Sequence, residues 1–112
     1  MKTLLVALCV LCAAAQSQAQ DKAKAEGKAS FYANITAVEP IIKAFTADTG
    51  ITGEYTRIST SKFVATMITE FEAGKLMADV VQAPLPVLDL LKDKGVLAAY
   101  RSPAAAGYPE WT

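Results

Sequence analysis

KASFYANITAVEPIIKAFTADTG, residues 28–50, is the stretch whose reading decides the fold. Its first part, KASFYAN, reads as a short strand. Its second part sets Val38, Ile41, Ile42 and Phe45 at i, i+3, i+4 and i+7, the spacing that gives a helix one apolar face. Two starts fit this helix. Thr36 with Glu39 three residues on makes a capping box; alternatively Pro40, after Glu39, is the first helical residue. Gly50 is the stop, because glycine enters the left-handed cap conformation without strain. Between strand and helix lies a small polar joint, Asn34-Ile35-Thr36.

The same unit follows twice more. ITGEYTRI, residues 51–58, is an imperfectly alternating strand of strong β-formers, and Ser59-Thr60-Ser61 leads into a helix. Phe63, Val64, Met67, Ile68 and Phe71 form the apolar stripe of that helix, and Gly74 ends it. In the third unit ADVVQA, residues 78–83, is the strand. PLPVLDLLKDK is its helix, with Pro84 and Pro86 at the start and Gly95 as the stop. VLAAY, residues 96–100, reads as a short further strand, and RSPAAAGYPEWT as irregular chain. Three strand–loop–helix units at this spacing predict an α/β fold with a parallel sheet and right-handed crossovers.

Ahead of these units, MKTLLVALCVLCAAAQSQAQ has Lys2, then an apolar run from Leu4 to Ala15, then small and polar residues. Ser17-Gln18-Ala19 fits a signal-peptidase site, so residues 1–19 read as a secretory signal cleaved before Gln20. The run falls short of the roughly 20 apolar residues that span a bilayer. Cys9 and Cys12 each follow a leucine, where a lipoprotein signal needs a smaller residue, and both leave with the signal. Residues 20–27 read as a flexible leader. What remains has no cysteine and no histidine, which excludes Ser-His-Asp and Cys-His catalysis and the commonest zinc ligands. Loss of Lys2 leaves one acid in excess, so there is no basic surface of the kind that nucleic acid requires.

In open parallel sheets, ligands sit beyond the carboxyl ends of the strands, at the helix N-termini. Three joints fall there, which makes Asn34, Thr36, Ser59, Thr60, Ser61, Gln82 and Ala83 the candidate ligand-binding residues. Hydroxyls, an amide and unpaired backbone N–H groups suit an oxygen-rich or anionic ligand. The competing reading is that Ser, Thr and Asn only cap their helices, worth about 1 kcal/mol each. Ser59-Thr60-Ser61 offers three hydroxyls where one cap needs a single one. Glu70 and Glu72 flank Phe71 and read as a solvated face, Asp79 as structural, and Tyr32 and Tyr55 as half-buried strand residues. Trp111 lies in the tail with no role assigned.

The order of these pieces resembles the start of the extracellular solute-binding proteins of ABC importers, in the branch that includes ferric-ion-binding proteins. The resemblance runs through EGKASFYANITAVEPIIKAFTADTGI and EYTRISTSKFVATMITEFEAGKLMADVVQA to LLKDKGVLAAYRSPAAAGYPEW, and its most specific pieces are FEAGK-x-x-ADVVQA and KGVLAAYRSPAAAGYPEW. It implies a type II periplasmic binding protein, in which a ligand is trapped between two α/β lobes that close about a hinge. Such proteins are commonly three times this length, so residues 28–112 would be an incomplete first lobe, a truncated form carrying one wall of the cleft. The loops after its first three strands would line that cleft. Some ferric-binding members carry a histidine in the first loop and a glutamate in the third, where this chain has Thr36 and Pro84. The iron-holding tyrosines belong to later sequence.

The resemblance therefore implies a periplasmic receptor that passes a small solute to an inner-membrane permease. The solute would be an anion, an organic acid or, in a complete relative, ferric ion, with no metal ligand and no cofactor supplied by these residues. With one wall, the chain would bind ligand poorly or not at all. In the family a later strand pairs beside the third strand, so ADVVQA would here present an open apolar edge. No enzyme is expected, and no P-loop is seen. The alternative is a free-standing exported α/β interaction module without a small-molecule site.

Overall fold

In the computed structural model, which describes residues 21–109, the three units form one parallel sheet. Residues 1–19, read above as a secretory signal, with Cys9 and Cys12, lie outside the described residues, as does Trp111. Strand β1 is Lys28–Ala33, β2 is Thr52–Arg57 and β3 is Val80–Gln82, in the order β2-β1-β3. Helix α1 is Glu39–Thr49, α2 is Thr60–Glu72 and α3 is Leu85–Asp93, each following its strand. Residues 21–26, in the segment read as a leader, are helical.

The central place of β1 follows from its partners. Lys28 to Ala33 pair in register with Thr52 to Arg57 on one side, and Phe31 to Ala33 with Val80 to Gln82 on the other. Successive strand residues point to opposite faces. Tyr32 belongs to a buried cluster with Phe63 and Met67 of α2, Leu91 of α3, Ala83 and Val96. Its neighbour Phe31 meets Phe45 of α1 edge-on, with ring centroids 5.5 Å apart. Consequently α1 covers one face of the sheet, and α2 with α3 covers the other.

Each helix packs for reasons visible in its residues, with departures from the expected stripes. On α2, Phe63 and Met67 are fully buried, while Phe71, one turn further, is 41% exposed. On α1, Ile42 is buried but Ile41 is 67% exposed. The buried stripe is narrower than predicted, and at Ile42 α1 lies close against Gly53 of β2. A Cβ on that glycine would collide with the Ile42 side chain. Gly50 caps α1 at φ 73°, donating its N–H to the Thr46 carbonyl at 2.9 Å.

The capping box does not form. Thr36–Val38 makes a 3-10 turn, α1 starts at Glu39 with Pro40 in its first turn, and no side chain caps it. VLAAY is also not a strand. Val96 drops into the core and gives its N–H to the Leu91 carbonyl, so the end of α3 fixes this segment and no ladder does.

Two carboxylates hold β3, which has only three residues, against β1. Asp79 accepts the Ser30 N–H at 2.8 Å and returns its own N–H to the Ser30 carbonyl at 2.9 Å, the structural role expected for it. Glu70 was expected on a solvated face. Instead it turns inward, taking the Tyr32 hydroxyl on one oxygen at 3.1 Å and the Met77 N–H on the other at 3.2 Å. Its neighbour Glu72 is exposed. The Tyr32 ring is 7% exposed, and its hydroxyl is pushed above its ordinary pKa by burial first, then by the hydrogen bond to Glu70 and the charge of that carboxylate.

Candidate functional site: the carboxyl edge of the sheet

Because the strands are parallel and each helix follows its strand, all three helices begin at the same edge of the sheet. The residues that end the strands and open the helices meet there. Asn34, just past β1, donates its side-chain amide to the Thr60 hydroxyl at 2.9 Å, tying the first joint to the second. Tyr55 of β2 reaches back, its hydroxyl donating to the Ile35 carbonyl at 3.0 Å. The Ile58 N–H extends the ladder to the Ala33 carbonyl at 2.9 Å. Gln82 is the register partner of Ala33, so the third joint stands beside the first.

Hydroxyls at this edge are expected to cap helices, and here they do not. Ser59 is the N-cap of α2, yet its side chain makes no cap bond; its hydroxyl lies 3.3 Å from that of Ser61. Thr60 accepts from Asn34. Val38 and Pro84, at the cap positions of α1 and α3, provide no side-chain cap either. Of the first-turn N–H groups, that of Lys62 in α2 donates to the Ser59 carbonyl and that of Val87 in α3 to the Pro84 carbonyl, both at 2.9 Å. Only the earlier ones remain at the positive end of each helix dipole without a partner in the helix. Glu39 supplies a carboxylate in the first turn of α1, whereas α2 and α3 have no acidic residue in theirs. Arg57 and Lys62, both exposed, flank the Ser59-Thr60-Ser61 loop in the sequence.

Two side-chain oxygens at the edge, Asn34 Oδ1 and Gln82 Oε1, are buried and accept no hydrogen bond. Buried polar atoms are paired in the great majority of cases, so two such acceptors on adjacent strand ends set this edge apart from the rest of the domain.

The seven candidates therefore divide. Asn34 and Thr60 are joined just past the end of β1, and Gln82 ends β3 beside Ala33. Ser59 and Ser61 form an exposed pair beside them, and Thr36 is exposed at the start of its 3-10 turn. Ala83 is 8% exposed and packs in the core, so its methyl group faces away from any ligand and only its backbone could serve. The edge is a shelf open to solvent. Of the grooves elsewhere, one of about 150 Å³ lies at the amino end near Lys24, Asp48 and Ile51, and one of about 300 Å³ runs along β3.

The Asn34–Thr60 link was missed by sequence reasoning because it joins residues 26 apart, and only the register of β1 on β2 brings them together. Among the described residues, no group of three His, Cys, Asp or Glu side chains could hold a metal ion. No helix among them is long and apolar enough to cross a membrane. Comparisons with protein-family models, with curated proteins and with solved structures find no match to this chain.

Proposed function

We propose that this chain is the substrate-binding component of an ABC-type importer, exported to the periplasm, and not an enzyme. In this reading the carboxyl edge is one wall of the ligand cleft in the first lobe of a type II periplasmic binding protein. One observation carries it: three helices open onto a single edge, none is capped by a side chain, and the Ser59, Thr60 and Ser61 hydroxyls stand free of that duty. An uncapped, cation-flanked helix start is a ready site for an anionic oxygen. The ligand class is a small organic acid or another oxygen-rich anion, with ferric ion as the alternative cargo. A second wall would close over the shelf, exclude water from these donors and strengthen each contact. The loaded receptor would then dock on an inner-membrane permease, where ATP is hydrolysed by other subunits.

A specific feature favours a second reading, that of a free-standing exported interaction module. The edge strand β3 leaves Val80 48% exposed, with Met77 beside it 67% exposed. Open apolar edges of this kind pair with other chains.

Capture in the cell distinguishes the two. A photo-crosslinking residue would replace Lys62, which is exposed beside the hydroxyl loop. The receptor reading expects adducts with an inner-membrane permease, from a mature chain that begins at Gln20. Adducts with a soluble exported protein and none with a permease would replace it with the interaction module. Retention of the whole chain in the cytosol would overturn both.

A further inference from the structure

We draw no further inference here: the strongest candidate, the apolar groove of about 300 Å³ along the open edge of β3 between Met67, Leu76, Val81, Val96 and Leu97, is an unpartnered face, and nothing in the structure shows what covers it.

Discussion

Replacing Glu70 by alanine should be among the more damaging polar substitutions in the domain, and the reason lies in what it strands. Tyr32 is 7% exposed, and its hydroxyl donates in a part-buried bond to one Glu70 oxygen; the Met77 N–H donates to the other. Removing the carboxylate leaves the hydroxyl without an acceptor, at a cost of about 1–3 kcal/mol. The Met77 N–H is exposed and can turn to water, so its loss adds roughly 0.5 kcal/mol. The expected total is about 2–3 kcal/mol, a large share of the roughly 5–15 kcal/mol that holds a small domain together. Tyr32→Phe deletes the donor instead. Half-buried Glu70 keeps Met77 and gains water, so this change should cost only about 1 kcal/mol. The double variant should then be less destabilised than the sum of the two, because phenylalanine removes the stranded hydroxyl. Urea unfolding followed by far-ultraviolet circular dichroism measures all three. Equal costs for the two single changes, with strict additivity in the double, would refute the argument that the penalty arises from an orphaned hydroxyl.

Three further expectations can be checked with the same protein. The Tyr32 hydroxyl has a pKa above its ordinary 10.0, so the folded chain keeps that proton longer than the unfolded chain. Its contribution is fully present below pH 10.0 and is lost as the pH climbs through the folded value; a wild-type alkaline decline no steeper than that of Tyr32→Phe would contradict this. Gly53→Ala should cost about 1–3 kcal/mol by overpacking against Ile42, and adding Ile42→Ala should make the alanine tolerable at position 53. Denaturation midpoints that ignore the second change would show that α1 does not press on β2 as described. Val80→Lys places a charge on the edge strand at a site already half exposed. It should reduce concentration-dependent association in sedimentation while changing stability by less than about 0.5 kcal/mol; association unaltered by the charge would mean that β3 is not the sticky edge.

The repeat of strand, joint and helix was legible because three independent local signals agreed in each unit: β-formers, a 3.6-residue stripe, and a glycine just past the helix. Each helix ends within two residues of such a glycine, Gly50, Gly74 or Gly95. What stayed hidden depended on partners distant in sequence. Nothing local to KASFYAN says that it lies between the other two strands. Phe71 satisfies the stripe of α2 yet is 41% exposed, because burial depends on what packs opposite and not on spacing along the helix. Glu70 looked solvated from its neighbours, and only the approach of Tyr32 from β1 and Met77 from the following loop turns it inward. VLAAY has strand-forming residues, yet the closing bond from Val96 to Leu91 binds its first residue to the end of α3. At the candidate site the residue types were readable and their use was not. Ser59, Thr60 and Ser61 have the composition of caps, and only the geometry shows that none of them caps α2.

The central claim is that the carboxyl edge receives an oxygen-rich anion at the start of α2. The measurement that tests it most directly is a titration of the isotopically labelled chain with citrate and with inorganic phosphate, followed amide by amide in nuclear magnetic resonance. The account predicts saturable, weak binding from a single wall. The largest shifts should fall on residues 34–36, 59–61 and 82–83, and they should diminish in Ser59→Ala/Ser61→Ala while the fold is retained. Saturable shifts centred elsewhere, or no saturable shift with either anion in a folded chain, would contradict it.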